Sequence, residues 1–296
     1  MNFLQSNNWR KTKEALGNKC YSVGEYFFQT TKLPSLNKYI GYMPRVDLNK
    51  VDFTELINKA KKANCVFVTI DPDNLATELS SLEFIKQKGL NVDYGLPIHL
   101  PKTSIIDLSL DENTLLSNMK QKTRYNLKLA QKKGLNVVIS KEDSELETFI
   151  NLYIDTVKRQ NYSGRSSNYL KEVWNQFKDN VFITTAYFED KPLVSWFIIA
   201  YDNMLTYVYG GSSEEYKNLM APYLVVWELI KYGKENGYTQ LDLFGIKDDL
   251  SDGYSRFKTG FGGNTIEYAA TVDIIIESNL YRFIKLLYKI RNKIRF

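Results

Sequence analysis

A single histidine, His99, and two cysteines, Cys20 and Cys65, are the whole stock of imidazole and thiol in this chain of 296 residues. A serine-histidine-acid triad, an H-E-x-x-H site or a multi-histidine cage each needs more imidazole than that. Two cysteines make neither a disulfide framework nor a thiolate zinc site. Hydrolase and metalloenzyme chemistry is therefore disfavoured, no metal site is expected, and both cysteines read as structural thiols of a reducing compartment. Neither a G-x-x-x-x-G-K-S/T loop nor a G-x-G-x-x-G turn occurs, so ordinary ATP-loop and dinucleotide binding have no support. The glycine-bearing stretches are Gly210-Gly211-Ser212-Ser213 and Gly260-Phe261-Gly262-Gly263, the second following Phe257-Lys258. At both, close approach of a backbone to a ligand and a tight turn remain open.

Cationic chemistry is concentrated. Lys and Arg total 39 against 34 Asp and Glu. Residues 278–296 hold Arg282, Lys285, Lys289, Arg291, Lys293 and Arg295 with no acid, and residues 119–133 hold Lys120, Lys122, Arg124, Lys128, Lys132 and Lys133 with none. Everything outside these stretches is net negative, which points to anionic partners at defined places. In the C-terminal stretch Leu280, Phe283, Ile284, Leu287, Ile290 and Ile294 recur at helical spacing while Lys285, Lys289 and Lys293 step along another face. A basic amphipathic helix is expected, either lying on an anionic membrane surface or packing its apolar side on the core. Lys120, Arg124, Lys128 and Lys132 also step by four, beside Leu116, Met119, Leu127 and Ala130. That stripe suits the phosphates of a nucleic acid or nucleotide, or simply solvent.

These groups must be positioned by elements that alternate in an α/β manner. Strands are expected at Tyr39–Pro44, Cys65–Ile70, Ser104–Leu108, Val137–Ile139, Val181–Phe188, Leu193–Tyr201, Met204–Tyr209 and Leu241–Phe244. Helices are expected at Phe53–Ala63, Ser80–Lys88, from Asp111-Glu112, at Ser144–Gln160 and at Ala221–Asn236. The turns Glu189-Asp190-Lys191 and Asp202-Asn203 make the strands around them antiparallel. The two halves share an order of elements without a clean sequence repeat, which suggests a duplicated acyltransferase-like fold. The expected class is α/β (α+β), two tandem GNAT-like domains with mixed, largely antiparallel sheets. The first would span 1–109 plus 270–296, with the basic helix, and the second 110–269. A glycine-rich helix lead-in for CoA pyrophosphate is lacking at Tyr216-Lys217-Asn218-Leu219-Met220-Ala221-Pro222-Tyr223, which argues against CoA as donor. The polar N-terminus has no secretion-signal pattern and no window reaches about eighteen apolar residues, so a soluble cytoplasmic protein is expected. No heptad repeat demands a second subunit, and a monomer is expected.

Four strings in order resemble the Fem (FemABX) family of peptidoglycan-bridge aminoacyltransferases over nearly the whole chain. They are Phe3-Leu4-Gln5-Ser6 with Trp9; Met119-Lys120-Gln121-Lys122-Thr123-Arg124-Tyr125-Asn126; Gly210 through Tyr223 with Trp227-Glu228; and Phe257-Lys258-Thr259-Gly260-Phe261-Gly262-Gly263 with Glu267-Tyr268. The resemblance implies two acetyltransferase-like domains, an aminoacyl-tRNA donor, no cofactor, and an acceptor amine on the stem peptide of a precursor, lipid II or UDP-MurNAc-pentapeptide. The short interval from Ser213 to Ala221 leaves no room for the coiled-coil arm that some Fem proteins carry. Lys258, beside Phe257, would stabilise the developing oxyanion or meet the terminal RNA phosphate. Acceptor binding would fall to Lys13, with Lys11 as competitor, and to Arg165 with Tyr169, an arginine suiting a diphosphate through paired donors. Tyr209 would line the acceptor channel, with Tyr207 as the alternative. Asp71 would contribute to a pocket of the first domain, or else be a turn residue before Pro72. Lys120, Arg124 and Lys128 would contact RNA or phosphate, residues 279–296 would touch the inner face of the plasma membrane, and the general base is left open, with Asp242 one option. The rival readings are a CoA-dependent N-acyltransferase and a non-catalytic membrane-surface binding protein on the same scaffold.

Overall fold

The computed structural model describes residues 1–247 and 252–293, with side chains described through Tyr288. The chain divides into two units, 1–101 with 267–296, and 102–266.

The first unit opens with α1 (Asn7–Ala15), whose first turn is capped by Ser6 Oγ accepting the Trp9 N–H at 3.1 Å. β1 (Lys19–Val23), β2 (Tyr26–Lys32) and β3 (Tyr39–Val46) follow as an antiparallel meander. α2 (Phe53–Lys62), capped by Asp52, then crosses over to β4 (Cys65–Pro72), which runs parallel to β3. β4 is buried along its whole length, which is why it reads as a continuous apolar run ending in Asp71-Pro72. α3 (Ser81–Gln87) and the short β5 (Val92–Tyr94) complete this stretch.

The second unit comprises β6 (Lys102–Asp107), α4 (Glu112–Asn118), α5 (Gln121–Gln131), β7 (Asn136–Ser140), α6 (Asp143–Gln160), α7 (Ser167–Phe177), β8 (Val181–Phe188), β9 (Lys191–Tyr201), β10 (Met204–Ser212), α8 (Ala221–Glu235), β11 (Gln240–Asp242), α9 (Gly253–Thr259) and β12 (Asn264–Glu267). Among the described residues its sheet runs β12-β6-β11-β10-β9-β8-β7. Strands β7 to β10 are antiparallel, and only the β10–β11 step, bridged by α8, is parallel among the pairings with a defined register. Both tight turns form as expected: Glu189-Asp190 and Asp202-Asn203 each take two consecutive positive φ angles, the backbone that matches the twist of a hairpin. β6 belongs to this sheet through Ile105↔Asp242 and Ile106↔Leu241. The unit boundaries therefore lie at 101/102 and 266/267, rather than at 109/110 and 269/270, because a strand's partner is set by long-range pairing that local periodicity does not carry.

The chain then returns to the first unit with β13 (Val272–Ile275) and α10 (Ser278–Lys293). β13 lies between β4 and β5 and is antiparallel to both, giving the order β1-β2-β3-β4-β13-β5. Two mixed, largely antiparallel sheets with helices packed on them are the fold class the sequence predicts.

Two local features correct the sequence reading. The cationic stripe Lys120, Arg124, Lys128 and Lys132 runs along α5 from cap to cap, but its apolar companions do not all share that helix: Leu116 lies on α4, which ends at Asn118, and Met119 is extended. The glycine pair 210–211 lies inside β10 and not in a turn. A Cβ on Gly211 would stand 2.5 Å from the Tyr153 backbone nitrogen, so its bare backbone is what lets α6 lie against β10. Gly211→Ala is expected to destabilise the protein by about 2–3 kcal/mol, read as a lower urea midpoint at unchanged slope.

Candidate functional site

α9 begins at Asp252, whose Oδ1 accepts the Ser255 N–H at 2.7 Å, and this short helix carries Tyr254 and Lys258 one turn apart. Lys258 is 0% exposed. Its Nζ donates to the carbonyl of Gly245 at 3.1 Å and to that of Phe244, and stands 3.9 Å from the centre of the Tyr254 ring and 5.2 Å from that of Tyr207. The two carbonyls converge because Phe244 and Gly245 both adopt left-handed backbone, φ 53° and 52°. That turn is held in turn by Asp242, whose Oδ1 accepts the Phe244 N–H at 2.7 Å and the Thr103 hydroxyl. Burial drives the Lys258 pKa well below the ordinary lysine value, while Asp242 and then Asp252 favour the charged form. A cation kept out of water, fixed by carbonyls and aromatic faces, is suited to stabilise negative charge that appears during a reaction. Asp242 acts here as the organiser of the lysine cradle.

Phe257 faces a different set of neighbours. Its ring packs edge-on against Tyr223 and Phe261, both at 5.1 Å, and against Trp196 at 6.1 Å. Gly260, Gly262 and Gly263 bring the following segment against α4, α5 and β6, where Cβ atoms would meet Thr123 Oγ1, the Asn118 carbonyl and the Ile105 carbonyl at 2.4, 2.3 and 2.8 Å.

The structure also brings Arg165, Tyr169 and Tyr209 together. The Arg165 guanidinium lies 4.8 Å from the Tyr169 ring centre, the Tyr169 and Tyr209 hydroxyls are 3.5 Å apart, and Tyr153 Oη accepts the Arg165 backbone N–H at 2.9 Å. α7 positions Tyr169 through its cap, Ser166 Oγ accepting the Tyr169 N–H. Burial disfavours the Arg165 charge, but the surrounding tyrosine oxygens outweigh it and hold the guanidinium protonated. Burial, followed by Tyr169, raises the Tyr209 hydroxyl well above its ordinary value, with Arg165 opposing. An exposed guanidinium edged by phenols can grip a phosphate or carboxylate.

Tyr207 and Tyr209 belong to different groups. The pairing of β10 with β9 shifts between these residues. Residues two apart on a regular strand share a face, and a bulge between them puts them on opposite faces. Tyr207 stacks on Trp196 at 3.9 Å and belongs to the Lys258 group, whereas Tyr209 meets Tyr153, Tyr169 and Phe197. Tyr162, just after α6, interacts with Tyr153 on one side and with Tyr207 and Tyr254 on the other.

In the first unit, Lys13 is buried on α1 with its ammonium 4.3 Å from the Trp9 ring centre, while Lys11 is exposed. Asp71 is 2% exposed and is a strand residue, paired with Pro44, rather than a turn residue. Its carboxylate accepts the Tyr42 hydroxyl and the Thr271 hydroxyl, both at 2.5 Å. The ring of His99 lies 6.3 Å from that of Tyr42.

The proposed phosphate contacts separate. Lys120 and Lys128 are exposed. Arg124 instead turns back to the end of α4 and donates to the carbonyls of Ser117 at 3.0 Å, Leu116 at 3.4 Å and Met119. It satisfies helix-terminal acceptors, a role that the four-residue spacing conceals. Arg124→Ala is expected to lower stability by about 1–2 kcal/mol in a denaturant titration, with Lys128→Ala unchanged. Tyr153, Tyr162 and Tyr254 were not legible as site residues, although Tyr254 stands one helical turn from Lys258.

With this geometry in view, the FemAB family model matches residues 41–195 and 187–289. Aminoacyltransferase FemA of Staphylococcus epidermidis is 22% identical over 343 aligned residues, which cover 84% of this chain and 82% of that one. Aminoacyltransferase FemB of the same organism is 21% identical over 360, covering 90% and 86%. A crystal structure of FemX superposes with a TM-score of 0.81 at 19% identity, over 96% of this chain and 94% of that one, a likeness of fold.

Proposed function

The chain belongs to the FemAB family, and from that premise we propose that it moves an amino acid from aminoacyl-tRNA to the stem-peptide amine of a peptidoglycan precursor, lipid II or UDP-MurNAc-pentapeptide, to build interpeptide bridges. The names of its relatives FemA and FemB support aminoacyl transfer. The observation that carries the reading here is the buried Lys258, gripped by the Phe244 and Gly245 carbonyls under the ring of Tyr254.

An aminoacyl ester is already activated, so the chain needs to supply no nucleophile. The acceptor amine attacks the ester carbonyl, a C–N bond forms and the C–O bond to the terminal ribose breaks. The proton lost by the amine ends on the departing ribose oxygen. Negative charge accumulates on the carbonyl oxygen between these events, and Lys258 is the cation that answers it. Arg165 with Tyr169 and Tyr209 would hold the precursor's phosphates, and Lys13 and Asp71 are the first unit's own candidates for substrate binding. Lys120 and Lys128 are the exposed cations for RNA. The enzyme would work in the cytoplasm, as a monomer, and with a lipid-linked acceptor at the inner face of the plasma membrane.

The test is to incubate the protein with a full set of charged tRNAs and either acceptor, and to weigh the product by mass spectrometry. A muropeptide heavier by one aminoacyl residue is expected. No transfer from any tRNA overturns the reading, and thiol release from acetyl-CoA with an amine acceptor would replace it with CoA-dependent acyl transfer.

A further inference from the structure

α10 has two apolar sides, and packing uses only one. Tyr281 and Ile284 bury against Val66 and Phe67 of β4. Polar contacts pin the same side: the Tyr281 hydroxyl donates to Asp273 Oδ2 at 3.0 Å, and Lys285 Nζ donates to Asp93 Oδ2 at 2.7 Å and to the Tyr94 carbonyl at 2.5 Å. Lys285 is therefore a fastener of the helix, not part of a free basic face, and Phe283 and Leu287 do not share the core-facing side with Leu280 and Ile284. Together with Leu286 they point away from the core, 56%, 54% and 50% exposed for Phe283, Leu286 and Leu287 respectively. Their i, i+3, i+4 spacing makes them one ridge, with Arg282 exposed beside it. The side chains of Lys289, Ile290, Arg291, Lys293, Ile294 and Arg295, expected on the helix faces, lie outside the described residues.

We propose that this outer face of α10 docks in the plane of an anionic phospholipid bilayer, with Phe283, Leu286 and Leu287 entering the headgroup boundary. The proposal deepens the function above by naming the surface that would bring the chain to a lipid-linked acceptor, and it rests on that reading for its purpose only. Charge decides the occupant. Besides the fastened Lys285, residues 278–296 carry five bases and no acid, which complements an anionic surface and would repel a second copy of the same helix. The other exposed apolar run of this unit, Leu96, Ile98 and Leu100, has no lysine or arginine between Tyr94 and Pro101 and lacks that complement.

Full-length protein is sedimented with vesicles of phosphatidylcholine, with and without phosphatidylglycerol. Binding at least about tenfold stronger to the anionic vesicles is expected, and the triple variant Phe283→Ser, Leu286→Ser, Leu287→Ser should lower it by about tenfold or more. The substituted side chains face outward, so circular dichroism and transfer to the soluble UDP-linked acceptor should be unchanged. A separate Phe283→Trp variant should show a blue-shifted emission on anionic vesicles. Equal binding by the triple variant, no preference for anionic vesicles, or a dimer that the triple variant dissolves would each overturn the proposal. Failure of the transferase reading would appear separately, as vesicle binding without transfer to either acceptor.

Discussion

Replacing Lys258 with methionine should lower the turnover number for aminoacyl transfer by about 10²- to 10³-fold, with little change in the affinity for the precursor. Methionine keeps much of the buried length but removes the charge that the Phe244 and Gly245 carbonyls hold in place. A preorganised charge in a dry site needs no reorganisation when the oxyanion forms, and so the loss appears in turnover. The pH dependence has a definite sign. The protonated amine is the working form and burial lowers its pKa well below 10.5, so turnover should fall as pH rises through that lowered value. Stability should move the other way. Between the lowered value and 10.5 the unfolded chain holds a proton that the folded chain has released, so unfolding free energy from this group rises with pH. Rates measured against pH, corrected for spontaneous ester hydrolysis, and denaturant midpoints across the same range check both. An alkaline limb that persists in Lys258→Met would assign it to another group.

Arg165→Ala should raise KM for the precursor by about 10- to 100-fold with turnover nearly intact, the reverse of the Lys258 pattern. The guanidinium is held protonated over the Tyr169 ring and within a phenol-lined group, which suits recognition of a planar or tetrahedral anion by paired donors. Arg165→Lys should recover little, because a lysine offers a point charge where the site presents a fork. Tyr209→Phe should fall between the two variants, since it removes the hydroxyl near Tyr169 but keeps the packing on Phe197. Steady-state kinetics with the soluble UDP-linked precursor separate these effects. A fall in turnover with unchanged KM in Arg165→Ala would reject the binding role.

Most helices and strands were legible because their apolar periods and caps are local. Asp111 and the two hairpin turns appear where the sequence places them. What escaped was set by distant partners. The alternation Tyr207-Val208-Tyr209 reads as one strand face, and nothing local announces the shift in pairing that separates the tyrosines. Arg124 reads as one of a row of cations until the chain breaks at Met119-Lys120 and leaves carbonyls for it to satisfy. Lys258 was legible only through its resemblance to a family motif. Its burial depends on the turn at 244–245 and on Asp242, which are remote from α9 in spacing and ordinary in composition.

The position of β13 between β4 and β5 has a consequence for synthesis. When the ribosome has produced residues 1–101, both strands that flank the missing one exist, but each presents a bare ladder of amides and carbonyls. The inserted unit must emerge entirely before Val272 can fill the gap. The later-made half of the polypeptide can therefore mature first, while the earlier-made half waits with open edges. A released chain truncated shortly before residue 272 should be protease-resistant within 102–266 and cleavable within 65–94, and extending it through the end of β13 should close that window.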